Sequence, residues 1–447
     1  MAREKAGTEA ETGAGTGTAP VKAGKGPSKG TTASTMQYGR LLWALYIATF
    51  LIRFSFSVMI MVFPLYLKHL EGVVYGLVWA ASPAAEFFTV LLLGGIIDRY
   101  GRKIVLILGL LLGTIVMFLM ATTTHPALIG VLNAFHGVSA GAILSSSLAL
   151  MADYAPKGAR GQEMGTFDGA NMSGWGAGFL LGGLINEKFA LDLYLGFVIA
   201  GTLGAVGFIY AHLIVHEPKK KAYTINELSA RHLLAVLKRT DVLLLMMPWL
   251  CIYIMIGAGL AFAGLEGADY SIPPWLVGAG MAVLCIFLVS TQRFFGRMSD
   301  KYGRVPLMFV GASGFLGLVL GGIGVYLTGV PSGDEILGNL PKWGPFLALM
   351  GGFGAMAFAF APAALASLGD VARKREHGVT MSVYSMVISA GMVIGVPTAG
   401  AVRQRWDMPG LLGFFSIIVG IMVTFVVLRR FQVAMQEKKA KKGSEEE

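Results

Sequence analysis

Two ionisable residues of opposite charge interrupt long apolar stretches of the sequence. Arg53 lies in the apolar run 44–63, about twelve residues after its predicted helix begins, and Glu86 lies twelve residues before Asp98. The second helix runs in the opposite direction to the first, so the start of the first and the end of the second lie on the same side. Both residues therefore lie roughly 18 Å from that side, at the same depth. Charged groups in hydrocarbon cost free energy and usually carry ions or substrates. We hypothesise that Arg53 and Glu86 pair or jointly bind substrate and a proton; a static ion pair joining two helices is the alternative.

Further polar residues lie on the same predicted helices. Tyr46, Thr49 and Ser57 share one narrow helical stripe with Arg53, which is the pattern of a side that faces a cavity. Asp168 lies about six residues into the fifth segment, roughly 9 Å from its end. It either faces an inner vestibule or pairs with a cation from a loop.

Two candidates lie in the fourth apolar segment and two in the eighth. His136 has a pKa suited to a proton relay, although a lone histidine among small residues is more often simply hydrogen-bonded. Asn133 lies on the same segment. Gln292 and Arg293 lie near the end of the eighth segment, where a long cationic side chain can reach the membrane surface.

The second half of the chain offers aromatic instead of charged candidates. Such a surface suits an amphiphilic or aromatic substrate, although lipid-facing and helix-packing residues have the same composition. The candidates are Trp249, Tyr253 and Tyr384, with Phe353, Phe358 and Phe360 nearby.

A short charged motif occurs twice. The first copy contains Gly94, Asp98, Arg99, Gly101, Arg102 and Lys103, and the second contains Gly296, Asp300, Lys301, Gly303 and Arg304. The two copies are 202 residues apart. A second repeated pair, Asp153 and Asp370, precedes a glycine by eight residues in each case. A carboxylate in such a turn can pair with a neighbouring cation or face a helix N-terminus.

The composition indicates which elements carry these residues. The chain is 55% apolar and 14% charged, whereas soluble domains are about 25% charged. Apolar runs approaching 20 residues match a hydrocarbon thickness of roughly 30 Å, and lipid permits only helices there. The sequence predicts twelve spans near 41–65, 74–97, 104–122, 127–152, 162–185, 193–215, 242–264, 275–297, 305–327, 345–369, 379–401 and 409–430.

These spans divide into two halves of six, 38–215 and 242–431. We expect a disordered tail at 1–37, a linker at 216–241 with an amphipathic helix near 226–238, and a charged tail at 432–447. Of the 36 Lys and Arg residues, 29 fall on the side of both termini and five on the other. This bias predicts cytoplasmic termini, and the basic residues then line an anionic lipid surface rather than nucleic acid.

Small residues and cysteines have structural interpretations. Cys251 and Cys285 lie in apolar runs, so no disulfide, metal site or cofactor is expected. Glycines of the fifth span permit close helix packing; they are Gly165, Gly174, Gly178, Gly182 and Gly183. Gly174 and Gly178 recur as Gly391 and Gly395, 217 residues later.

Over about residues 38–431 the chain resembles the major facilitator superfamily, whose best-known signature matches 94–103. The resemblance implies a twelve-helix transporter with pseudo-symmetric halves and a site between them. It also implies a latch that closes the cytoplasmic side, formed by Asp98, Arg102 and Asp153 and repeated by Asp300, Arg304 and Asp370. The glycines of the fifth span resemble a drug/proton antiporter signature, but Phe179 replaces its proline and Asn133 stands where such antiporters carry an arginine.

We therefore expect a non-enzymatic secondary active transporter, monomeric and in the plasma membrane, that exports a small amphiphile in exchange for protons. The sequence contains no phosphate-binding loop of the G-x-x-x-x-G-K-[ST] type, so ions are expected to supply the energy. Proton-coupled uptake of a carboxylate, short peptide or sugar is one alternative. A non-transporting receptor or lipid scramblase on the same fold is another.

Overall fold

The computed structural model describes residues 29–70, 72–154, 160–189, 192, 194–217, 238–329, 340–371 and 377–446. These residues form helices joined by short turns and contain no β-strand, as the sequence predicted. The helices are α1 Lys29–Tyr66, α2 Gly72–Tyr100, α3 Arg102–Met120, α4 Pro126–Tyr154, α5 Arg160–Lys188, α6 Tyr194–Ile214, α7 Thr240–Asp269, α8 Pro274–Tyr302, α9 Arg304–Leu327, α10 Leu340–Ala357, α11 Phe360–Val371 and α12 His377–Glu446.

Ten helical segments within these ranges are long and apolar enough to cross a membrane, judged by length and composition. One of them, Met386–Lys438, has 53 residues and would extend about 80 Å as a straight helix. The backbone leaves the helical region at Asp407 (φ 47°, ψ −144°), so α12 consists of two arms. The predicted spans 379–401 and 409–430 fall on either side of this kink.

The predicted span 345–369 is interrupted. α10 ends at Ala357 and α11 begins at Phe360, with a turn in which the amide of Ala359 donates to the carbonyl of Met356 at 3.0 Å. Pro362 lies one turn further on; it lacks an amide hydrogen, and its ring crowds the carbonyl of Phe358, four residues before it. The break therefore lies where a proline disfavours a continuous helix.

Two helices extend beyond the predicted domain boundaries. α1 begins at Lys29, inside the segment 1–37 that was expected to be disordered, and α12 continues through the expected tail as far as Glu446. Extending an existing helix costs less than starting one, which accounts for both extensions. Residues 1–28 and 226–237 of the predicted tail and amphipathic helix lie outside the described residues.

The bundle has two ends that are named here by their connections. The motif end carries the junctions α2–α3 and α8–α9, and the far end carries the junctions α1–α2 and α7–α8. Buried side chains form one large cluster around α1–α6, including Leu45 and Phe197, and another around α7–α12, including Leu245 and Val419. Phe262 of α7 belongs to the first cluster, so the core crosses between the halves near the far end.

Tyr75 joins the two halves at the far end. Its ring packs on Phe262 with 5.0 Å between centroids, and its hydroxyl donates to the carbonyl of Ala261 in α7. A Cβ atom on Gly76 would lie 2.5 Å from the Cα of Pro397, so α2 and the first arm of α12 touch through their backbones. The far end is therefore closed.

Glycines bring α5 against α1 in the first half. A Cβ on Gly174 would lie 2.5 Å from the carbonyl oxygen of Phe50 and 2.8 Å from the Cβ of Arg53. Gly178 and Gly182 continue the contact along α1. Only a residue without a side chain allows this approach.

The second half repeats the contact between the first arm of α12 and α7. A Cβ on Gly391 would lie 3.0 Å from the carbonyl oxygen of Leu250 and 2.6 Å from the Cβ of Tyr253. Gly174 makes the same pair of contacts with α1, where the carbonyl oxygen of Phe50 is followed three residues later by the Cβ of Arg53. Arg53 and Tyr253 therefore occupy corresponding positions in the two halves.

We expect Gly178→Ala to destabilise the protein, because the new Cβ would overlap the Ser57 hydroxyl and lie 2.5 Å from the Phe54 carbonyl oxygen. Overpacking of this kind costs about 1–3 kcal/mol. Gly165→Ala is the matched control, since no described atom lies within 4 Å of its Cβ position and both changes gain similar helix propensity. Thermal unfolding of both variants in one detergent measures the difference; equal midpoints would contradict the close α1–α5 packing.

Candidate functional site

Arg53 lies midway along α1, between helices α2, α4 and α5. Its guanidinium lies over the ring of Trp175 in α5, 5.9 Å from the centroid. The Arg53 side chain is partly exposed. A cation held on an aromatic face in this way keeps its hydrogen-bond donors available for a ligand.

Two carboxylates share the electrostatic environment of Arg53. Glu86 of α2 and Asp168 of α5 both interact with its charge, and both are partly exposed. No ion pair or hydrogen bond joins Arg53 to either carboxylate in the described part of the chain. The direct Arg53–Glu86 pair, one of the two predicted arrangements, is therefore not formed among the described residues, and the three charges interact only over a distance.

Asp168 connects this cluster to the second half. Its carboxylate accepts a hydrogen bond from the Gln292 amide of α8 at 3.1 Å and lies 3.5 Å from the Asn171 amide nitrogen. The neighbouring candidate Arg293 has a side chain outside the described residues. Asp168 therefore contacts the second half through α8. Its two predicted roles, facing an inner vestibule and pairing with a loop cation, stay predictions.

His136 is buried beside this cluster, with 4% of its surface exposed. Its ring packs on Phe56 with 4.4 Å between centroids, and its Nδ1 atom lies 3.2 Å from the Ser82 hydroxyl. Its Nε2 atom is buried and has no hydrogen-bond partner among the described residues. His136 also interacts electrostatically with Arg53, so it is close enough to influence the charge there.

The Asn133 side chain forms hydrogen bonds with the backbone of α2. Its amide nitrogen donates to the carbonyls of Val78 and Trp79 at 2.9 and 3.0 Å. Pro83 has no amide hydrogen, so the Trp79 carbonyl four residues earlier lacks its usual helical donor. Asn133 replaces that donor at a buried position, which is a structural contact.

The polar stripe of α1 makes several contacts with α5. The Tyr46 hydroxyl donates to a carboxylate oxygen of Glu163. The Ser57 hydroxyl lies 2.7 Å from the Arg53 carbonyl and 3.2 Å from the Gly174 carbonyl, so it joins the two backbones. Thr49 is buried, and its hydroxyl has no partner among the residues described.

The aromatic candidates of α7 line the corresponding part of the second half. Trp249 is buried against Phe360, with centroids 5.6 Å apart, and stacks on Tyr253 at 5.8 Å. Tyr253 is partly exposed. The side chain of Tyr384 lies outside the described residues. The two halves therefore present a cation and an aromatic ring, Arg53 and Tyr253, at equivalent positions.

The repeated motif forms tight turns at the motif end. Gly101 and Gly303 have φ angles of 104° and 94°, which only glycine adopts without strain. Each is the residue before a helix, α3 and α9 respectively, so the following N–H groups point outward from the turn.

The charged residues of the motif tie helices together within each half. Arg102 pairs with Asp153 at the end of α4. Arg304 pairs with Asp300 and, at 3.2 Å, with Asp370 at the end of α11. Lys103 donates to the carbonyl of His212 at 2.8 Å. Of the other predicted latch residues, Lys301 lies over the Tyr302 ring, and no described atom lies within 4 Å of a Cβ built on Gly296. The side chains of Asp98 and Arg99 and the surroundings of Gly94 lie outside the described residues, so their part in the latch stays a prediction.

Glu217 is a partner that sequence reasoning missed. Its carboxylate accepts the backbone N–H groups of Arg102 and Lys103 at 2.9 and 2.6 Å. It thereby neutralises the positive end of the α3 dipole. Beside it the Tyr154 hydroxyl donates to the His216 carbonyl, and burial raises the pKa of Tyr154 to about 12. A carboxylate shortly after the sixth span was the only sequence signal.

Two other site residues were also missed. Trp175 and Glu163 lie on the polar helix α5, where the sequence analysis singled out only Asp168 and glycines. Arg403, counted as an outer-loop cation, pairs with Glu266 at 2.6 Å and with Asp269 at the far end. Partners that are distant in sequence cannot be read from spacing along one helix.

Comparison with known proteins defines the class. A family model described as Major Facilitator Superfamily matches residues 45–333 and 267–447. The chain therefore belongs to the major facilitator superfamily, as the repeated motif predicted, and is an integral multi-pass membrane protein of a transporter family.

Two curated relatives illustrate the range of similarity. The chain is 29% identical over 181 residues to the quinolone resistance protein NorA of Staphylococcus aureus, which covers 40% of this chain and 46% of NorA. The match thus spans less than half of NorA. This chain is also 24% identical over 360 residues to an uncharacterized MFS-type transporter of Methanocaldococcus jannaschii. That match covers 77% of this chain and 87% of the archaeal protein.

Solved structures share the fold at low sequence identity. A POT family transporter in complex with 5-aminolevulinic acid has a TM-score of 0.70 at 13% identity, covering 87% of this chain and 96% of its own. The human organic anion transporter MFSD10 has a TM-score of 0.63 at 18% identity, covering 88% and 99%. The nucleoside transporter NupG has a TM-score of 0.63 at 16% identity, covering 87% and 98%. These similarities establish the fold alone.

We expect Asn133→Leu to lower the free energy of unfolding by about 1–3 kcal/mol, because it leaves the buried Trp79 carbonyl without a donor. Asn171→Leu serves as a control, since among the described residues the Asn171 amide nitrogen has a single partner, the Asp168 side chain at 3.5 Å. Unfolding midpoints of both variants check the prediction. A midpoint of Asn133→Leu equal to that of the wild type would show that the Asn133 contacts are dispensable.

Proposed function

We propose that this protein is a secondary active transporter that exports a small amphiphilic organic molecule in exchange for protons by alternating access. One observation carries the proposal: Arg53 and Glu86 at mid-depth and Asp168 nearer the motif end interact electrostatically without direct ion pairs among the described residues. Such charges are costly in a membrane unless they have a task.

The missing ion pair favours a functional cluster over a static one. A structural pair in a medium of low dielectric constant would be held in direct contact, because each unpaired ion loses solvation without compensation. Here the carboxylates interact with Arg53 only over a distance. Binding or release of a proton at Glu86 or Asp168 would therefore change the field at Arg53, which gives coupling between protons and an anionic or polar group of the substrate.

The proposed substrate class follows from the two facing surfaces. Arg53 and Trp175 offer a cation and an aromatic face in the first half, and Tyr253 offers an aromatic ring at the equivalent position of the second. A molecule with one apolar or aromatic part and one polar part fits this arrangement. Export is supported by the similarity to NorA, whose name associates it with quinolone resistance.

The contact between the two halves at the far end supports the proposed conformational state of the transporter. With Tyr75 seated on Phe262, access to Arg53 is from the motif end. We propose twelve spans, with α10 and α11 forming one and the arms of α12 forming two. We further propose that the motif end and both termini are cytoplasmic, that the protein resides in the plasma membrane, and that it acts as a monomer. The described state is then inward-facing, and the pairs Arg102–Asp153 and Arg304–Asp370, which join helices within one half each, do not by themselves close the cytoplasmic side.

Two alternatives have different consequences. Proton-coupled uptake of a carboxylate, peptide or sugar would use the same cluster in the reverse direction, and the positive charge of Arg53 favours an anionic substrate for it. A receptor or lipid scramblase would need neither the charges at mid-depth nor the paired latch residues. The retention of both sets favours transport.

We expect flux of an amphiphilic dye in proteoliposomes to follow an imposed pH gradient, with export from the motif end when that side is less acidic. Glu86→Gln is expected to reduce gradient-driven flux at least about tenfold while leaving facilitated exchange without a gradient, because the neutral side chain cannot carry the proton. Glu187→Gln, an exposed carboxylate at the far end of α5, is the control.

The outcomes separate the hypotheses. Accumulation in the direction of proton entry indicates uptake. Ligand-induced stabilisation without flux indicates a receptor, and lipid translocation independent of the gradient indicates a scramblase. Gradient-driven flux that Glu86→Gln leaves unchanged would remove Glu86 from the coupling mechanism.

A further inference from the structure

The two copies of the charged motif differ in what lies at the following helix N-terminus. In the first half the Glu217 carboxylate accepts the first two backbone N–H groups of α3. The equivalent groups of α9 belong to Arg304 and Val305. No described side chain accepts them. Ala434, which follows Glu217 by the same 217 residues that separate Asp153 from Asp370, carries no carboxylate.

A cavity of about 470 Å³ lies at this uncapped N-terminus. Its polar and charged lining includes Arg304, Ser367, Asp370, Arg429, Arg430 and Glu437, and Ala434 also lines it. The cavity therefore occupies the place that the Glu217 side chain fills in the first half.

Arg429 gives the cavity an unsatisfied cation. It is only 6% exposed, and its Nε atom is buried without a hydrogen-bond partner among the described residues. One terminal nitrogen donates to Gln432 at 2.6 Å. Asp241 interacts with Arg429 electrostatically, but its carboxylate is bonded to Arg239 at 2.7 Å. A buried guanidinium with an N–H group that makes no hydrogen bond raises the free energy of the folded state unless an anion binds to it.

The residues that line the cavity carry one more positive charge than negative. Arg304, Arg429 and Arg430 face the carboxylates of Asp370 and Glu437, and Asp300 pairs with Arg304 from outside the lining. Arg430 lies over the Phe309 ring, 5.8 Å from its centroid. The helix dipole of α9 adds a further partial positive charge.

We propose that this cavity binds a phosphate group, held by the N-terminus of α9 and by Arg429, as a replacement for the carboxylate that the first half supplies itself. Helix N-termini and arginine forks both suit phosphate oxygens. The group is either the phosphodiester of an anionic lipid or free phosphate. This site lies at the motif end, away from Arg53, and does not depend on the proposed transport activity.

The test measures ligand-induced shifts in the thermal unfolding of the whole protein. In the lipid arm, nanodiscs contain either phosphatidylcholine alone or an added fraction of phosphatidylglycerol. In the phosphate arm, inorganic phosphate is titrated in phosphatidylcholine discs at constant ionic strength. We expect wild type to be stabilised in one arm, and Arg429→Gln to weaken the apparent affinity about tenfold or more, because the variant loses a charged donor to the phosphate oxygens.

Two further variants keep the test decisive. Ala434→Glu places a carboxylate at the position equivalent to Glu217, and we expect it to fold, to be more stable without ligand and to lose the response to both ligands. Arg405→Gln removes an exposed cation of α12 at the far end and should respond as wild type does. A response only to phosphatidylglycerol assigns the site to lipid, and a response to phosphate assigns it to the free ion. Equal responses of wild type and Ala434→Glu, or no response of wild type in either arm, would overturn the proposal.

Discussion

The interior of a lipid bilayer solvates neither peptide groups nor ions, and this constraint determines most of the structure. Backbone groups must be satisfied within each helix, so a proline inside a helix creates a specific need. Pro83 frees the Trp79 carbonyl, and Asn133 supplies the missing donor from α4. At Pro362, where no described side chain donates to the Phe358 carbonyl, the helix breaks instead. One constraint thus yields a continuous helix in one place and a turn in another.

The same constraint explains why glycine, rather than hydrophobic burial, joins the helices. Lipid is as apolar as a leucine side chain, so association depends on close packing. Gly174 holds α5 against Arg53 on α1, and Gly391 holds the first arm of α12 against Tyr253 on α7. These contacts fix the orientation of the two residues that we place in the transport site. The backbone packing therefore positions a cation and an aromatic ring at corresponding places in the two halves.

The sequence was sufficient for the helix class, the repeat and the family because these depend on local composition and on spacing. It was insufficient where a contact joins distant segments. Nothing near Glu217 indicates that it accepts the N–H groups of Arg102 and Lys103, and Trp175 gives no signal that Arg53 lies over its ring. Helix ends were also misplaced, because α1 begins in a polar segment where hydropathy has no signal.

The two halves have kept one architecture while diverging in charge. The first half carries its own counter-charge at the α3 N-terminus, and it also carries the charges at mid-depth, Glu86 and Arg53. The second half has an aromatic ring at the position equivalent to Arg53 and a cavity beside Arg429. A pseudo-symmetric fold needs balanced packing between its halves but not balanced electrostatics. We infer that divergence in charge allows one half to respond to protons, while the other contacts the apolar part of a substrate and takes its missing anion from its surroundings.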